Sequence, residues 1–122
     1  MKIRCIGRGS DAAEEVPYAL SLGRIYVVLA VEESSLGETW YRIMTRDSET
    51  GPESVAIFSS EYFEILSSYR PSNWTRSIRK GETELSPPSW QEGGLWELFY
   101  SRGDAAAKTL DLERRVMEAE EP

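Results

Sequence analysis

From Leu20 to Leu66 the chain alternates short apolar runs with turn residues: LSLGRIYVVLAVEE, SSLG, ETWYRIMTR, DSETGPE, SVAIF and SSEYFEIL. Runs this short, rich in Val, Ile, Tyr and Trp and cut by Leu-Gly and Gly-Pro steps, read as consecutive antiparallel strands. Short strands joined by tight turns twist, and the twist curls them into a compact barrel or a bent sheet. The strand over Arg24 to Glu32 places Ile25, Val27, Leu29 and Val31 on one face and Tyr26, Val28 and Ala30 on the other. Both faces are apolar, which predicts a central strand covered on both sides. The next strand, Glu38 to Arg46, sets Trp40, Arg42 and Met44 against Tyr41, Ile43 and Thr45.

Around this block, residues 2–7 form a first strand, 8–19 an exposed loop, Glu53 to Phe58 a short fourth strand and Tyr62 to Leu66 a fifth. Ser59 to Glu61 reads as one helical turn, and Trp74 to Lys80 as a further strand. Residues 81–89, with Pro87-Pro88, read as a linker. Ser89-Trp90-Gln91-Glu92 matches a capping box, but Gly93-Gly94 limits that helix to one turn, and Leu95 to Ser101 forms a second short helix. A longer helix from Asp104 to Glu121 carries two apolar seams, Ala106, Leu110 and Met117 beside Ala105, Leu112, Val116 and Ala119. Glu113 lies between the seams, so either it sits at the rim of a wide buried stripe or only one seam packs. The expectation is one domain over 1–122, with a barrel over 1–80 and a helical extension over 81–122. A chain of 122 residues is long enough for its own core.

Composition narrows the chemistry. There is no histidine, which removes Ser-His-Asp triads, Cys-His pairs and the common zinc sites. Asp47, Glu49 and Glu53 do not have the spacing of a calcium loop, and Gly7-Arg8-Gly9 lacks the Lys-Ser/Thr ending of a phosphate loop. Glu61 and Glu64 are a conceivable acid–base pair, but solvated carboxylates are ordinary in an acidic chain. The expectation is no enzyme, no cofactor and no metal. Cys5 is the single cysteine, so no intramolecular disulfide forms, and its alternation with Lys2 and Arg4 makes it a small inward-facing residue. No export signal follows the basic N-terminus, and the longest apolar run, Ile25 to Val31, is too short to span a bilayer. Asn73-Trp74-Thr75 matches a glycosylation sequon by chance on this reading. The protein is expected in the cytoplasm, away from membranes.

Fourteen basic against twenty-one acidic residues give a formal charge of −7, which favours basic partners over phosphate backbones. The hairpin Glu32-Glu33-Ser34-Ser35-Leu36-Gly37-Glu38 and the loop Asp47 to Glu53 are acidic but lie at opposite ends of a meander. A basic partner would therefore use one end, with Glu32, Glu33 and Glu38 steering and Tyr41 or Trp74 as the aromatic anchor. The competing possibility is the segment 70–80, where Arg70, Arg76, Arg79 and Lys80 surround Trp74 in the manner of a single-stranded nucleic-acid platform. Strand alternation divides those cations between two faces, which disfavours it.

The order MKIRCIG, LGRIYVVLAV, TWYRI, AIFSSEYFEIL, PSNW and PPSWQEGGLWELFY, closed by an amphipathic helix, resembles a group of small bacterial proteins with an SH3-like barrel and appended helices. Some members of such groups are immunity proteins that neutralise toxins. The resemblance covers nearly the whole chain and implies a mainly β fold with C-terminal α structure (α+β). Its frame would be an SH3-like antiparallel barrel of about five to six strands, one or two short helices and a longer C-terminal helix. It implies a protein partner, such as a basic toxin domain, and no catalytic residues.

Overall fold

The computed structural model describes residues 1–7, 20–46, 53–91 and 104–121. Seven strands run β1 (Lys2–Cys5), β2 (Ile25–Glu33), β3 (Thr39–Arg46), β4 (Glu53–Ser59), β5 (Phe63–Ser67), β6 (Thr75–Arg79) and β7 (Glu82–Ser86). A 3-10 turn, Ser60–Tyr62, joins β4 to β5; α1 spans Pro88–Gln91 and α2 spans Asp104–Glu120. The fold is mainly β with a C-terminal helix, as its alternating apolar runs dictate. All pairings are antiparallel, in the order β4-β3-β2-β1-β5, with β7 and then β6 branching from β2. Among the described residues β4, β5 and β6 each pair on one side only, so the ladder is an open sheet where a barrel had been expected.

The branch arises because β2 is longer than the strands beside it. Its first half, Ile25 to Val27, pairs with β1. Its second half, Val31 to Glu33, pairs with β7 along the same edge. Opposite β3 the register slips between Val28 and Ala30, so Leu29 is an extra residue in the ladder. Such a bulge bends the strand and reverses its alternation. Tyr26, Val28 and Val31 consequently share the first core, with Ile3, Cys5, Tyr41, Ile43, Phe63 and Leu85. Leu29 points the other way, into a second core of Val55, Trp90, Leu110 and Met117. Strict period-two alternation places Leu29 and Val31 on one face; the bulge separates them. Ile25, also assigned to that face, is half exposed at the strand's start.

On β3 the alternation holds: Tyr41, Ile43 and Thr45 are buried, and Met44 packs on the second core. Cys5 is fully buried on β1, and burial pushes its thiol up despite a backbone hydrogen bond at Gly7. Of the two helical seams only one packs, since Leu110 and Met117 are buried while Leu112 and Val116 remain exposed. Glu113 lies at the margin of that contact, where its carbonyl and carboxylate accept the Asn73 side-chain amide at 3.1 and 2.8 Å. The region read as a linker contains β7, whose Leu85 and Ser86 are buried. The expected exposed loop over 8–19, most of the loop 47–53 and the helix at 95–101 fall outside the described residues.

The end of α2 is tied to the sheet by two adjacent carboxylates. Glu121 meets the Met1 ammonium at 2.6 Å and accepts a hydrogen bond from the Ser67 hydroxyl. Glu120 accepts from the Tyr69 hydroxyl at 2.8 Å, the Ser72 N–H at 2.9 Å and the Ser72 hydroxyl. Burial alone would raise Glu121, but the hydrogen bonds from Met1 and Ser67 and the charges of Met1 and Lys2 hold it below its ordinary value. The Ser72 hydroxyl, the Ser72 N–H and Tyr69 lower Glu120 in the same direction. A carboxylate lowered in the folded state contributes stability above its unfolded pKa and loses it as pH falls through the folded value. Stability should therefore fall with acid below about pH 4. In urea titrations across pH, the double variant Glu120→Gln/Glu121→Gln should show a shallower acid limb, and parallel limbs would contradict this assignment.

Candidate partner-docking surface

Three connections gather at one end of the sheet. The β2–β3 turn is built by Ser34: its N–H donates to the Glu38 carbonyl at 2.8 Å, and its carbonyl accepts from Gly37 N–H at 3.0 Å. Its hydroxyl oxygen accepts from the N–H groups of Leu36 and Glu38 at 3.3 and 3.1 Å. Gly37 has φ +86°, a conformation that a side chain would strain. These bonds hold Leu36 at the tip, 86% exposed, between the exposed carboxylates of Glu33 and Glu38.

The β6–β7 turn, Lys80–Gly81, lies alongside, since a Cβ on Gly81 would sit 3.4 Å from that of Ser35. Exposed Glu82 follows it. The third connection is the 3-10 turn after β4, placed here because Ser59 pairs with Trp40 near the start of β3. It is capped by Ser59, whose hydroxyl accepts from Glu61 N–H, and it exposes the Glu61 side chain. Glu33, Glu38, Glu61 and Glu82 thus ring the end, against Arg79 and Lys80. The arrangement can attract cations by its field and offer one aliphatic knob for desolvation.

The residues expected to bind a partner divide between surface and core. Glu33 and Glu38 are exposed at the end where the three connections meet. Glu32 faces the sheet and pairs with Arg42 at 3.3 Å, leaving it only partly accessible. Tyr41 is 5% exposed within the first core, and burial followed by the Glu33 charge raises its phenol. It offers nothing to a partner. Trp74 is half-buried against both cores, and its indole N–H is buried without a hydrogen-bond partner among the described residues. The large apolar side chain exposed at this end is Leu36, not an aromatic. Its signal was present in the sequence, as an apolar residue inside an otherwise polar turn.

The basic segment does not assemble as a stacking platform, because its aromatic is packed inward. Arg79 donates to the Gln91 carbonyl at 3.1 Å and stands opposite Glu82, while Arg76 and Ile78 occupy the other strand face. Glu64 is paired with Arg4 at 3.1 Å on the surface and is not positioned by a buried environment. A crevice of about 170 Å³ opens between the start of β2, the end of β3 and α2, walled by Arg24, Tyr26, Met44, Thr45, Arg114 and Glu118. Arg24 lies 5.6 Å over the Tyr26 ring, and Arg114 is paired with Asp111 at 3.3 Å and Glu118 at 3.7 Å, so much of its charge is internally balanced. No three of the described acidic or cysteine side chains are grouped as metal ligands would be. No described helix is long and apolar enough to cross a membrane. No protein-family model, curated protein or solved structure matches the chain.

Proposed function

We propose that this chain is a protein-binding module whose acidic end docks a basic partner, acting as an immunity protein that occludes a bacterial toxin in the cytoplasm. The observation that carries the reading is the Ser34-braced turn, which holds an 86% exposed leucine between two free-facing carboxylates. Holding Leu36 in place beforehand reduces the ordering entropy that binding would otherwise cost. Glu33, Glu38, Glu61 and Glu82 would accelerate encounter with a cationic surface, and Leu36 would supply desolvated contact at its centre. The proposal extends the resemblance of the sequence to SH3-like immunity proteins, with the sheet as frame and the turns as contact surface.

The test is capture from host lysate by immobilised wild type, Leu36→Asp and Glu33→Lys/Glu38→Lys. Wild type should retain a basic protein in a salt-sensitive manner. Leu36→Asp should weaken its binding about 30-fold or more, the threshold of an interface hot spot. Expression of the captured protein should arrest growth, and co-expression of wild type but not of the charge-reversed variant should relieve the arrest. Equal capture by all three chains, or a captured protein without effect on growth, would remove the proposal.

A further inference from the structure

The β6–β7 hairpin joins β2 through three cross-strand pairs, Val31 with Leu85, Glu32 with Glu84, and Glu33 with Thr83. The middle rung is two glutamates. Residues opposite each other on an antiparallel ladder have Cβ atoms about 4.5–5.5 Å apart, and like charges there are destabilising. The surroundings treat the two carboxylates differently. Glu32 is matched by Arg42 on β3, with Nε 3.3 Å from its carboxylate. Glu84 accepts a hydrogen bond from the Ser86 hydroxyl at 3.1 Å, on its own strand. From β6, Arg79 adds positive charge at longer range while donating to Gln91 of α1. From α1 the neutral Gln91 amide donates to the Ser86 carbonyl and leaves Glu84 alone. On β4, Ile57 lies opposite Arg42 and contributes no charge.

We propose that the Glu32–Glu84 rung is a proton-responsive seam: protonating Glu84 tightens the β6–β7 hairpin against β2, and ionising it loosens the hairpin. Burial is the largest influence on Glu84 and raises it; the Ser86 hydrogen bond lowers it, Glu32 raises it, and Arg42 and Arg79 lower it, leaving it above its ordinary value. The sign follows from linkage. A carboxyl raised in the docked state binds its proton more tightly there than when the hairpin is open. Docking is therefore strongest below the ordinary glutamate pKa and weakens as pH rises through the raised value. This is opposite to the response of Glu120 and Glu121, so the two effects separate by region. The hairpin also carries the Lys80–Gly81 turn beside Ser35, so the seam bears on how firmly the acidic end is assembled, whatever that end binds.

Two NMR measurements on the full chain test this. The Glu84 side-chain carboxyl should titrate above an ordinary glutamate in wild type, and its midpoint should move down in Glu32→Gln. Amide exchange of residues 83–85, corrected for intrinsic rate, should accelerate across the Glu84 titration relative to amides of β3 and β4, about tenfold for each unit by which the measured Glu84 midpoint exceeds that of an ordinary glutamate. In Glu84→Gln that dependence should vanish. An ordinary Glu84 midpoint, exchange that ignores pH, or an equal pH dependence in Glu84→Gln would each overturn the proposal.

Discussion

Replacing Trp90 with alanine is expected to destabilise the fold by about 3–5 kcal/mol, the range for removing a large buried aromatic. Trp90 is 1% exposed and stands between the sheet residues Leu29 and Val55 and the helix residues Leu110 and Met117. It belongs to α1, a helix of four residues that cannot persist on its own propensity. The indole is therefore what fixes that turn, and the turn in turn positions Gln91, whose side-chain amide donates to the Thr75 and Ser86 carbonyls at 2.9 and 3.0 Å. Urea unfolding should show a lower midpoint with the slope retained, since the surface exposed on unfolding changes little. Leu112→Ala is the comparison within the same layer. Leu112 is 66% exposed, and its removal should cost no more than about 0.5 kcal/mol. Similar costs for the two variants would show that the second core is wrongly located.

Tyr41→Ala should be almost as damaging, at about 3–5 kcal/mol. The ring packs edge-on against Phe63 with centroids 5.9 Å apart at 66°, and Phe63 meets Tyr26 at 6.3 Å and 82°. Three strands, β2, β3 and β5, are joined by this aromatic chain, which adds favourable quadrupole contacts to area burial. Leu36→Asp makes the informative contrast. It alters a residue that touches solvent on nearly every side, so thermal stability should stay within about 0.5 kcal/mol of wild type. Tyr41 should thus act through folding, and Leu36, under the proposed docking role, through binding alone. A Tyr41→Ala protein with an unchanged melting temperature would return Tyr41 to the surface and refute the first core as described.

These contrasts show where local pattern suffices and where it fails. The β3 alternation, the inward Cys5, the one-turn connection before β5 and the Asp104–Glu120 helix were all legible, because each depends on neighbours a few residues apart. The strand β7 was not. Its sequence Glu-Thr-Glu-Leu-Ser carries one large apolar residue and precedes Pro87-Pro88, so it has the composition of a linker. Pairing with both β2 and β6 supplies the stabilisation that its composition does not. The expectation of Tyr41 as an anchor meets its 5% exposure for a related reason, while Trp74 is half-buried against both cores. Aromatic type announces a large contact area, but whether that area faces a core or a partner depends on which strands lie above it. The acidic turn carrying Glu33 and Glu38 was recognisable, with Leu36 as its one apolar residue; that the turn holds Leu36 exposed required seeing how Ser34 braces it.

By itself the amino-acid order determined the short-strand character of the chain, its acidic balance, its lack of imidazole chemistry and the existence of the terminal helix. Those properties are set by composition and by side-chain period along a few turns or pleats. Tertiary structure alone decided the bulge at Leu29, the sharing of one β2 edge between β1 and β7, the choice of the Leu110/Met117 seam and the meeting of Glu32 with Glu84. Each is a pairing between distant segments, and alternative registers of similar local pattern are separated only when burial on both faces of the sheet is satisfied together.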